Sequence, residues 1–99
     1  MTDNENFESW ESVKVTVCNL RGLHARAAVR LSKLLENYTA DVRLVANGGD
    51  PVCARSVMEA MMLAASKGTM LNVIGHGDDA PQALEAVADL FKNRFDEAE

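Results

Sequence analysis

Gly22-Leu23-His24-Ala25-Arg26-Ala27-Ala28 places a histidine where a glycine-bearing turn runs into a helix. The opening residues of a helix carry backbone N–H groups with no intrahelical partner, and the helix dipole adds partial positive charge there. Such an end accepts a phosphate-like anion. The expected donors are the N–H groups of Ala25, Arg26 and Ala27, and the Arg26 guanidinium adds a fork that fits phosphate oxygens. His24 stands at the mouth of this cradle with a nucleophilic imidazole. A lone histidine more often caps a helix or lies exposed, so the assignment rests on the combination. Together these residues are equipment for carrying a phosphoryl group on a ring nitrogen.

The flanking sequence supplies the elements that hold this junction. Upstream, Val13, Val15 and Val17 alternate with Lys14, Thr16 and Cys18, the pattern of a half-buried strand. Downstream, Ala27, Leu31, Leu34 and Leu35 form the apolar stripe of a helix over 25–37, with Arg26, Arg30 and Lys33 on another face. A second strand is expected over 40–46, a hairpin turn at Asn47-Gly48-Gly49-Asp50, and a short third strand over 51–54. Ser56-Val57-Met58-Glu59 has the form of a capping box, opening a short helix to about residue 65 that Gly68 can end. Strand four covers 70–75. Asp79-Ala80-Pro81-Gln82 opens the last helix with a capping acid and a tolerated proline, and Leu84, Val87, Ala88, Phe91 and Phe95 form its apolar face.

The order is β-α-β-β-α-β-α, an α+β domain whose helices need cover from one face of one sheet. Pattern alone also permits a ferredoxin-like split βαβ fold with a terminal helix. The 99 residues suit one domain over 11–99, preceded by a flexible arm over 1–10 in which Phe7 and Trp10 can dock locally.

Bulk properties exclude several classes. With 47% hydrophobic and 25% charged residues, the chain has the composition of an ordinary globular protein. No apolar run approaches the roughly 18 residues of a membrane span, and the acidic start is unlike a secretory signal, so the cytoplasm is the expected location. A net charge of −5 argues against nucleic acid. Cys18 and Cys53 are isolated, which predicts reduced thiols, no metal site and no metal-handling ferredoxin-like module. Between Ser12 and Leu35 there is no acidic residue, while Lys14, Arg21, Arg26, Arg30 and Lys33 all fall there. An acidic protein therefore has a local cationic region centred on His24. His76 has no acid or nucleophile beside it in sequence and reads as an edge residue.

The segment around His24 resembles the active-site signature of the histidine-containing phosphocarrier (HPr) family of the bacterial phosphotransferase system and its nitrogen-related paralogue. The likeness runs from Val13 to about Phe95 and includes a second segment, Ala54-Arg55-Ser56-Val57-Met58-Glu59-Ala60-Met61-Met62-Leu63. It implies an HPr-like open-faced β-sandwich: an antiparallel four-stranded sheet with three helices on one face. It also implies a phosphoryl carrier rather than an enzyme, with no cofactor, acting as a monomer. Nδ1 of His24 would accept the group from phosphorylated enzyme I, assisted by Arg26, and pass it to an enzyme II A-type acceptor domain, in sugar transport or nitrogen regulation. Ser56 aligns with the serine that HPr kinase/phosphorylase modifies in many members. Val57 and Met58 begin the family's apolar docking patch, with Met61, Val29 and Arg55 as expected members or rim. The sequence departs from the family at Ala27, where proline is most common.

Overall fold

In a computed structural model, which describes residues 7–99, the described residues form four strands and three α-helices, with a 3-10 turn at Phe7–Ser9 and another at Arg94–Asp96. The strands and α-helices are β1 (Glu11–Thr16), α1 (Ala25–Leu35), β2 (Asp41–Ala46), β3 (Val52–Cys53), α2 (Val57–Met62), β4 (Met70–His76) and α3 (Ala80–Lys92). The sheet order is β1-β4-β2-β3 with every neighbour antiparallel. The helices cover one face, and β1 is an edge strand paired only with β4, whereas the ferredoxin-like alternative would put β1 inside the sheet between β3 and β4; the open-faced arrangement holds.

The alternation read in the sequence sets the register. Val15 lies opposite Leu71 and Leu44 opposite Val73, which puts these side chains on the helix-covered face. There they meet Leu31 and Leu35 of α1 and Leu84, Val87 and Phe91 of α3, all at most 6% exposed. Burying such a side chain contributes on the order of 1.5–3 kcal/mol, and this common core fixes where α1 begins.

Three local expectations are corrected. The Asp79 carboxylate does not cap its own helix. It accepts the backbone N–H groups of Thr39 and Ala40, both at 2.9 Å, tying the start of α3 to the strand entry of β2. Those hydrogen bonds, led by Thr39, hold the carboxyl below its ordinary range against a smaller opposing effect of burial. The capping box at α2 is half formed. Ser56 Oγ accepts from Glu59 N at 3.1 Å, but the Glu59 carboxylate accepts from Cys53 N at 2.9 Å instead of Ser56 N. Ser56 N is already bonded to the Cys53 carbonyl, leaving Cys53 N as the donor within reach. Finally, α2 stops at Met62, and Ala64, at φ +52°, makes the left-handed turn expected of Gly68.

Of the expected N-terminal arm, residues 1–6 lie outside the described residues. Phe7 and Trp10 meet edge-on at 4.9 Å, and Trp10 stacks on His76 at 5.3 Å. The Arg43 guanidinium lies over both rings, at 5.5 and 5.3 Å. This aromatic group sits at the sheet, in a region that also includes Lys14. Lys14 is thus placed on β1 away from the cationic region of which it was expected to be part.

Candidate functional site

The loop between β1 and α1 is fastened before it reaches His24. Val17 exchanges backbone hydrogen bonds with the 68–69 turn, and Leu23 N donates to the Ala65 carbonyl at 2.9 Å. Gly22 has φ +73°, and a β-carbon there would come within 2.5 Å of the Ala65 oxygen. Both the conformation and the close approach call for glycine. Asn19 is fully buried and donates from Nδ2 to the Gly22 carbonyl at 2.7 Å.

His24 is the N-cap of α1, with extended backbone angles. Its Nδ1 faces the helix start and accepts a hydrogen bond from Arg26 N at 3.3 Å. Its other nitrogen, Nε2, lies 2.6 Å from a carboxylate oxygen of Glu97. The imidazole is therefore held from both sides, at 25% side-chain exposure, with Nδ1 facing the start of α1. Ala25, Arg26 and Ala27 are the first three residues of α1, whose N–H groups lack intrahelical partners. Alanine at position 27 keeps an N–H that the family's common proline could not offer.

Arg26 is exposed beside a shallow pocket of about 300 Å³ that it lines with Arg21 and Arg30. Opposite the arginines are Asp96, Glu97 and Glu99 of the C-terminal tail. Three of the five cations expected around His24 thus line one pocket; Lys33 lies in the last turn of α1. The tail is led there by a turn the sequence did not suggest. Helix α3 ends at Lys92, and Arg94, Phe95 and Asp96 follow with φ values of 57°, 53° and 64°. Phe95 is buried, as expected, but in a left-handed turn after the helix, with its ring edge-on to Phe91 at 4.7 Å. Arg30 Nη1 donates to its carbonyl.

Glu97 and Asn19 are the site residues that sequence reasoning missed. Glu97 lies 73 positions from His24, beyond the reach of any local pattern. The one available signal was Phe95, an apolar residue past the last helical turn. Asn19 Nδ2 donates to the second Glu97 oxygen at 3.0 Å. Burial raises the Glu97 carboxyl pKa, but the hydrogen bonds from Asn19 and His24, with the charge of Arg21, outweigh it, and the net direction is downward. Glu97 is a carboxylate at neutral pH.

Beyond the histidine, α2 packs on α1 and presents methionines outward. Met58, Met61 and Met62 are 75%, 40% and 78% exposed, and Val29 on α1 is 39% exposed. Val57 differs: it is half-buried and packed against the core. Arg55, expected at the rim, is half-buried. Its guanidinium donates to the carbonyls of Leu35, Tyr38 and Ala40 at 2.5, 2.8 and 2.8 Å, closing off the end of α1.

Comparison with known proteins bears on this geometry. Residues 11–93 match the family model described as "PTS HPr component phosphorylation site". The chain is 41% identical over 88 residues to phosphocarrier protein HPr of Pseudomonas aeruginosa, covering 89% of this chain and 98% of the relative. It is 40% identical over 85 residues to phosphocarrier protein NPr of Shewanella violacea, covering 86% and 92%. Among solved structures it resembles HPr-C-His from Thermoanaerobacter tengcongensis, with a TM-score of 0.83 at 28% identity, covering 90% of this chain and 99% of that one.

Proposed function

The chain belongs to the PTS-HPr family of phosphocarrier proteins, and on that premise we propose that it takes a phosphoryl group on Nδ1 of His24 from phosphorylated enzyme I and delivers it to an enzyme II A-type acceptor domain. The observation that carries this reading is the orientation of the ring. Nε2 is occupied by Glu97, while Nδ1 faces the α1 start, where Arg26 N donates to it and the N–H groups of Ala25 and Ala27 have no intrahelical partner. A phosphoryl group on Nδ1 would meet those donors and lie within reach of Arg26, whose guanidinium can stabilise the charge spread over its oxygens. The site is open, which suits a carrier that must release what it holds.

Docking is assigned to Val29, Met58 and Met61, exposed apolar side chains on α1 and α2. Methionine adapts its shape, and a carrier must fit both a donor and an acceptor. Cytoplasmic, monomeric operation accords with this role. The test is a relay. Phosphoenolpyruvate with sugar-type or nitrogen-type enzyme I should label the chain to one phosphate, and an A-type domain should then discharge it. Relative rates with the two enzymes assign the branch, which relatives named HPr and NPr at 41% and 40% identity leave balanced. A chain that neither enzyme labels would be a regulatory module using the same face, and the carrier reading would fail.

Ser56 is assigned a regulatory role alongside its structural one. Its hydroxyl caps α2, and it stands next to Val57 and Met58. Phosphorylation would place about two negative charges at the docking face, while the helix start keeps the fold intact. Ser56→Asp should remain folded and be phosphorylated on His24 markedly more slowly. Rates equal to the parent's would leave Ser56 a helix cap only.

A further inference from the structure

Glu97 does more than close the tail over the pocket. Resting on the carrier reading of His24, we propose that Glu97 is a positioning residue for phosphoryl transfer, its carboxylate holding the Nε2 proton so that the ring lone pair stands on Nδ1.

An ionised carboxylate only accepts, so the 2.6 Å contact requires the proton on Nε2. The tautomer so selected has its lone pair on Nδ1, where Arg26 N already donates to it. A charge-assisted bond of this kind is stronger than one to water and sets ring orientation as well as tautomer. Glu97 is itself held: its second oxygen accepts from Asn19 Nδ2 at 3.0 Å, and Asn19 is fully buried and anchored to the Gly22 carbonyl.

The tail shows the cost of this placement. Arg94, Phe95 and Asp96 occupy the left-handed region in succession, which is unfavourable for side chains with a β-carbon. The turn is secured by the buried Phe95, by Arg30 at the Phe95 carbonyl, and by Arg94 Nη1 donating to the Ala98 carbonyl at 2.9 Å. Glu97 then returns to extended backbone and meets the ring.

The step balances with no proton moved. The Nδ1 lone pair forms the N–P bond, the bond from phosphorus to the donor breaks, and its electron pair leaves with the donor. The ring, still protonated at Nε2, becomes cationic, and the Glu97 carboxylate is its counter-charge. On discharge the N–P electron pair returns to Nδ1 and the starting tautomer is restored.

Phosphoramidate tests this on the intact chain, because a small donor needs no docking face. In the parent, nitrogen-15 NMR should place the ring proton of His24 on Nε2, and phosphorus NMR should find the label on Nδ1 alone. Glu97→Ala should give a mixture of tautomers, a measurable fraction of the Nε2 isomer, and Nδ1 labelling slower by about tenfold. Glu97→Gln, which keeps length and an acceptor oxygen, should retain part of the Nδ1 selectivity but label more slowly for want of the charge. It also decides the matter if the alanine variant does not fold. Tautomer and isomer unchanged from the parent in the folded variants would overturn the assignment. A parent that takes no label on His24 would instead defeat the carrier reading, while the tautomers of the unlabelled proteins still decide the role of Glu97.

Discussion

His24→Ala is expected to lose all phosphorylation by enzyme I and phosphoenolpyruvate, with a melting temperature close to the parent's. The imidazole is the proposed nucleophile, with Nδ1 facing the α1 start. The ring also caps α1 through Nδ1 and holds Glu97 through Nε2, so its loss costs about 1 kcal/mol of helix-end stabilisation, too little to unfold the core. Arg26→Ala calibrates the remainder of the site. It keeps nucleophile and backbone donors, and a tenfold slower transfer would correspond to about 1.4 kcal/mol of barrier. Label retained in His24→Ala would place the phosphoryl group elsewhere.

Met58→Glu is expected to weaken docking of enzyme I by about 1–3 kcal/mol, roughly five- to 150-fold, with little change in melting temperature. Met58 is 75% exposed and contributes nothing to the core, so a charge there reaches only a partner. Val57→Glu separates the two roles. Val57 is half-buried and packs against the core, and a carboxylate there should lower stability before it affects docking. Binding unaltered by Met58→Glu, measured by titration calorimetry, would move the docking face away from α2.

How much of this was readable in the sequence follows the range of each interaction. The strands and α1 were legible because alternation and helical spacing are local, and Val15, Leu44, Leu31 and Leu35 fell where their periods put them. His24, Arg26 and the α1 start were legible because nucleophile, charge and helix end lie within one turn. The ends of elements were less so. Asp79 and Glu59 each carry a carboxylate suited to capping, and each found a backbone donor from another segment, which no local rule anticipates. Arg55 reads as a surface cation yet serves the carbonyls of Leu35, Tyr38 and Ala40. Glu97 reaches His24 only because the chain reverses through a left-handed turn at Arg94–Asp96, in which Arg94 and Phe95 are residues with no preference for it. Burial of Phe95 outweighed the local cost, a tertiary term that sequence spacing does not carry.

One phosphoryl group is expected to ride on Nδ1 of His24. Phosphorus-coupled NMR of the chain after reaction with enzyme I and phosphoenolpyruvate tests it most directly, because the two imidazole phosphoisomers differ in shift and coupling. A single acid-labile signal assigned to Nδ1 of His24 is the expected result. Label on Nε2, on Ser56 or on any residue other than His24 would contradict it.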